Sequence, residues 1–72
     1  MDGPEALRRL RRDRGLSMSA LATAAGLDMM TVSRLERGLH NPRLVTLVRL
    51  LHALRVPAAD WRNIADSFAR VA

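Results

Sequence analysis

The chain has no cysteine and no lysine, and among its 72 residues there are one tryptophan, one phenylalanine, three prolines and four glycines. Without cysteine, neither disulfides nor thiolate metal sites are available to hold the fold, and the absence says nothing positive about compartment. No stretch approaches the roughly 20 apolar residues of a membrane helix, and the opening MDGPEALRRLRR lacks the apolar run of a signal peptide. The expectation is a soluble, cytoplasmic chain. Strand-like alternation, internal repeats and low-complexity segments are missing as well, which leaves an all-α chain. At this length it forms one small domain over 1–72, burying about 60% of the surface that the unfolded chain exposes.

What is present is positive charge. All twelve basic residues are arginine, set against seven acids for a net charge of +5, and such a balance points to an anionic partner, though arginine in place of lysine is also what a GC-rich genome produces. Residues 29–55 carry Arg34, Arg37, Arg43, Arg49 and Arg55 against the single acid Glu36, whereas residues 58–72 balance Asp60 and Asp66 with Arg62 and Arg70. Catalytic patterns are missing. His40 and His52 have no acid arranged beside them, Asp13, Asp28, Asp60 and Asp66 are scattered, and there is no glycine-rich phosphate loop or activated serine. The chain reads as a non-enzyme with no metal, cofactor or small-molecule ligand.

In chain order, Pro4 suits the first turn of a helix, with Asp2 or Gly3 before it, Leu7 and Leu10 as its buried stripe, and Gly15 closing it. Its arginines, Arg8, Arg9, Arg11, Arg12 and Arg14, are scattered around the cylinder by helical spacing and read mostly as a solvated surface, with a few left free to touch phosphate. Ser17 caps a second helix with Ala20, Leu21 and Ala24 on one face, and Gly26 ends it. Asp28 caps a third, which turns Val32 and Leu35 inward and leaves Met29, Met30, Ser33, Arg34 and Arg37 outside. Pro42 stiffens the approach to a fourth helix whose wide apolar face, Leu44, Leu47, Val48, Leu50, Leu51 and Leu54, makes it the central core element, ending near Arg55 or Val56. A last helix runs from about Ala59 to Arg70, with Trp61, Ile64, Ala65, Phe68 and Val71 at spacings of three and four. The second and third helices, about residues 17–37, have the outline of a helix-turn-helix, whose second helix enters a DNA major groove.

The segments LRRLRRDRGLS, LATAAGL, TVSRLERGLHNP and LVRLLHALRVP, in this order and spacing, resemble the lambda-repressor-like helix-turn-helix family over about residues 6–61. The resemblance implies a five-helix DNA-binding domain. It matches Arg11 and Glu36 to an internal ion pair tying the first helix to the end of the reading helix. Leaving Glu36 unpaired inside a positive surface would be costly, although a solvated Glu36 is the plainer alternative.

The positions that correspond to the family's base readers are Met29, Met30, Ser33 and Arg34, with Thr31 beside them, and the two methionines depart from the usual polar set. They can pack against thymine methyl groups while Arg34 donates to guanine O6 and N7, unless one methionine turns under to fill the core. Met18 stands where relatives often carry a phosphate-anchoring glutamine, leaving the free amides after Ser17 to bind phosphate. A second anion site at the start of the fourth helix is surrounded by Arg37, Asn41 and Arg43. Arg43 replaces a small capping residue, giving up roughly 1 kcal/mol, either for a DNA contact or by surface drift.

Trp61 is expected to pack onto the fourth helix, while Ile64, Phe68 and Val71 exceed what so small a core covers. That excess points to a homodimer interface, which would set two reading helices about 34 Å apart, one DNA turn; the alternative is a helix folded back to complete the core. The resulting expectation is a homodimeric, sequence-specific transcriptional regulator of the repressor/Cro type on a palindromic double-stranded operator. The rival is a protein-interaction module or antitoxin-like partner that uses the exposed methionines.

Overall fold

In the computed structural model, which describes residues 2–69, the Asp2 carboxylate accepts the Glu5 amide at 2.9 Å and caps α1 (Gly3–Asp13), with Pro4 in the first turn, where its missing N–H has no helical partner to lose. The same device starts the next two helices. The Ser17 hydroxyl accepts the Ala20 amide at 3.0 Å for α2 (Met18–Ala25), and the Asp28 carboxylate accepts the Thr31 amide at 2.7 Å for α3 (Met29–Glu36). At α4 (Leu44–Ala53) the cap position is Arg43, which makes no side-chain capping bond. A 3-10 turn (Ala58–Asp60) then leads into α5 (Trp61–Ala69), so the last α-helix starts two residues later than the periodicity suggested. The described residues contain no strand and no helix long and apolar enough to cross a membrane.

Four of the helices stop in the same way. Gly15, Gly26, Gly38 and Arg55 each take a left-handed backbone, and the amide of the following residue bonds back five positions, Leu16 to Arg11 at 3.1 Å, Leu27 to Ala22 at 2.8 Å, Leu39 to Arg34 at 3.1 Å and Val56 to Leu51 at 3.0 Å. Each of those following residues is apolar. Leu16, Leu27 and Val56 pack on the core, which helps to fix where the chain turns; Leu39 stays 60% exposed.

The core is built from Leu7, Leu21, Val32, Leu35, Leu50, Leu51 and Leu54, all essentially without solvent contact. α2 packs on both α3 and α4, and α1 lies across α3 and α5. In α2 the buried positions are Leu21, Ala22 and Ala25, whereas Ala20 and Ala24 face solvent, because the helix meets α4 on a face one position on from the expected one. Leu44 also leaves the core set. It sits in the first turn of α4 at 76% exposure, and the helix ends at Ala53.

α5 completes the core. Phe68 is only 3% exposed, because Gly3 has no side chain where the ring lies and a Cβ added there would overlap it. The expected surplus of apolar surface is therefore reduced: Phe68 is an interior residue, Trp61 and Ile64 are half-buried, and Val71 lies outside the described residues. Trp61 is held twice, by its Nε1 donating to the Val56 carbonyl at 2.8 Å and by an edge-on contact with the His52 ring at 4.9 Å between centroids. Arg14 joins the ends of α1 and α4 by donating from Nε to the Leu54 carbonyl at 2.7 Å.

α3 is fixed to α1 through charge. Arg11 donates to the Glu36 carboxylate from Nε at 2.6 Å and from the second terminal nitrogen at 2.9 Å, while the first terminal nitrogen donates to the Leu16 carbonyl at 2.8 Å. Both residues are buried, at 8% and 2% exposure, and the hydrogen bond to Glu36 raises the arginine further above its already high ordinary pKa, against the opposing effect of burial.

Two outcomes follow for stability. Gly3→Ala should destabilise by about 1–3 kcal/mol, since collision with Phe68 outweighs the gain of up to ~1 kcal/mol that alanine brings to an open helix position, and Phe68→Leu should relieve much of the loss in chemical denaturation. Glu36→Gln and Arg11→Met should each cost ~3–5 kcal/mol, a large part of the ~4–11 kcal/mol available to a 72-residue domain. Their double mutant should lose far less than the sum. Small, additive losses in melts of all three variants would contradict a coupled interior pair.

Candidate nucleic-acid interface

α3 has only eight residues, too few to be stable in isolation, so its orientation is set by what it buries. Val32, Leu35 and Glu36 hold its inner side, and the outer side projects from the domain. Met29 and Met30 are 54% and 52% exposed, so neither turns under into the core. Arg34 and Arg37 are exposed, while Thr31 and Ser33 are half-buried along the edges. Asp28, at the helix start, is held below the usual carboxylate range first by the Thr31 amide and hydroxyl, with a smaller contribution from the Arg34 charge.

The proposed phosphate contacts fall around this helix in two groups. Ser17 is exposed and its hydroxyl caps α2, whereas Met18 is half-buried and packs against the core. In the second group Asn41 and Arg43 are exposed, and a cleft lined by Thr31, His40, Asn41, Arg43 and Thr46 runs between α3 and the start of α4. Because Arg43 does not cap α4, the first-turn amides there have no side-chain acceptor from the cap position, which is the condition that favours an anion. Arg37 lies on the other flank, where it lines a cleft with Arg8, Asp2 and Glu5 of the α1 end.

Thr46 escaped the sequence reading, and Arg8 stands in it only as one of the scattered arginines of α1. Thr46 sits in the first turn of α4, and its place in the cleft follows from the 41–43 loop folding back beside α3; the α1–α3 packing sets Arg8 and Arg37 on one cleft. Arg11 and Arg14 likewise differ from the solvated arginines of their tract, one paired with Glu36 and the other bonded to Leu54. Among the described residues no three His, Asp or Glu side chains gather as a metal site.

Comparison with known proteins agrees with this geometry. The helix-turn-helix family profile matches residues 7–61. The chain is 42% identical over 58 residues to the uncharacterized HTH-type transcriptional regulator y4dJ of Sinorhizobium fredii, covering 81% of this chain and 75% of the relative. It is 39% identical to the HTH-type transcriptional repressor RghR of Bacillus subtilis and 41% identical to the HTH-type transcriptional regulator DdrOP3 of Deinococcus deserti, over 74% and 78% of this chain but only 40% and 43% of those longer proteins. The chain belongs to the lambda-repressor-like helix-turn-helix family of non-enzymatic, DNA-binding transcriptional regulators.

Proposed function

We propose that this protein is a repressor/Cro-type regulator that acts in the cytoplasm as a homodimer on a palindromic operator. The observation that carries the reading is a short helix held from one side only, with Met29, Met30, Arg34 and Arg37 left projecting. α3 enters the major groove, where Arg34 offers a fork of donors to guanine O6 and N7, and Thr31 and Ser33 are short enough to meet base edges at the margins of the contact. Arg37, Asn41 and Arg43 and the amides after Ser17 hold phosphates and set the register of the helix in the groove; Met18 contributes its backbone only. One relative is named a repressor, in keeping with a regulator that acts by occupying DNA.

The dimer surface is redrawn by the burial of Phe68. Half-buried Trp61 and Ile64 remain on α5, and a groove between α5 and the start of α4 is lined by Leu44, Leu47, Ala65 and Ala69. Leu44 and Val45, at 76% and 58% exposure, extend this apolar area, and a second copy of the chain is the occupant that gives two reading helices a common two-fold axis.

In sedimentation the wild type should run as two chains at micromolar concentration, and Ile64→Glu or Leu44→Glu should give folded monomers with weakened operator binding; a strictly monomeric wild type would remove the dimer from the proposal. Arg34→Ala and Arg43→Ala should fail differently. The first should lose ~1–3 kcal/mol on the preferred duplex and relax preference at one symmetric base pair, with little change on scrambled DNA. The second should weaken all sequences alike and flatten the salt dependence by about two counterions per dimer, at ~0.9 per phosphate contact. Equal losses for Arg34→Ala on both duplexes would reduce it to a backbone contact, and no salt-sensitive DNA binding by the wild type would favour the protein-interaction alternative.

A further inference from the structure

The first turn of α3 carries a chemistry unlike the basic surface around it. Two adjacent methionines stand more than half exposed there, while the inner side of the same helix is already complete with Val32 and Leu35 at 0% and 1% exposure. A thioether cannot make the paired hydrogen bonds that read a base edge. The carboxylate at the start of this turn is already engaged, since Asp28 accepts the Thr31 amide as the helix cap. What two neighbouring thioethers can do in a major groove is cover an apolar group, and that groove presents one kind, the methyl on pyrimidine C5, carried by thymine and by methylated cytosine.

We propose that Met29 and Met30 form a reader of pyrimidine C5-methyl groups, so that affinity at the base pairs they face follows the methyl and not the hydrogen-bonding pattern of the base. The proposal rests on α3 being the DNA-facing helix. Charge selects DNA over a protein partner as the occupant of this apolar pair, because exposed Arg34 follows it on the same helix, Arg37 stands at the helix end and Arg43 lies across the adjoining cleft. Asp28 is the one acid at its edge, and it is engaged in the cap.

Thymine and uracil offer identical donors and acceptors and differ by this methyl alone, so replacing one by the other isolates it. The best duplex from a random-sequence selection would be remade with each thymine in turn changed to deoxyuridine and titrated with wild type, Met29→Ala and Met30→Ala. Removing one methyl-sized contact changes affinity about fourfold. The wild type should therefore bind three- to fivefold more weakly at one or two positions of each half-site, with the loss absent in whichever methionine variant faces that position. Placing cytosine there and then 5-methylcytosine should recover a similar factor. Uracil tolerated everywhere, losses that persist unchanged in both methionine variants, or a selected duplex with no thymine under the start of α3 would each overturn the methyl reader while leaving DNA binding intact. A wild type that prefers no duplex at any salt concentration would overturn the DNA-facing role of α3 itself.

Discussion

A single guanidinium organises the part of the molecule proposed to meet DNA. Arg11 of α1 grips Glu36, the last residue of α3, and the Leu16 carbonyl in the turn before α2. The end of α1, the turn that follows it and the distant end of α3 thus share one planar group, and removing its water is offset only because its donors find acceptors in good geometry. An apolar pair of similar volume would supply comparable stability without fixing an angle. A two-pronged contact permits only one orientation, and for a helix of eight residues orientation is what determines which side chains can be presented to a groove.

Around that contact the helix ends divide the labour. At the starts, Asp2, Ser17 and Asp28 supply acceptors; at the stops, left-handed residues and the apolar residues after them turn the chain back toward the interior. Two places break this regularity. Arg43 leaves α4 without its side-chain cap, and Leu39 stands exposed where its three counterparts pack inward. Both lie between α3 and α4, in the stretch that borders the exposed outer side of α3, so the local compromises in an otherwise consistent fold gather at the edge of the proposed functional surface.

The helix order and the helix-turn-helix outline were legible because they rest on strong local signals: cap residues, glycines at the stops and the leucine spacing of α4. The phase of α2 was not, since six of its eight residues are apolar and four of those are alanines, too alike for periodicity to separate Ala20 and Ala24 from Ala22 and Ala25. The apolar residues of α5 were legible as apolar, but whether they turned inward depended on Gly3, more than sixty residues away in sequence, and a missing side chain leaves no local signature of the partner that fills its space. Leu44 misled for a related reason, since in a first turn the chain has not yet met the elements that α4 packs against. The exposed residues of α3 followed from counting faces on a short helix, whereas the cleft with Thr46 and the one that Arg8 and Arg37 share needed the α3–α4 loop and the α1–α3 packing to be seen.

The separation of the two faces of α3 bears on how such a protein can change over generations. Val32, Leu35 and Glu36 are committed to the interior, while Met29, Met30 and Arg34 contribute almost nothing to it. Exchanges at these exposed positions fall among those that typically move stability by no more than about 0.5 kcal/mol. The scaffold is thus nearly blind to the letters written on its outer face, and a lineage carrying it can drift from one target sequence to another without passing through an unfolded ancestor.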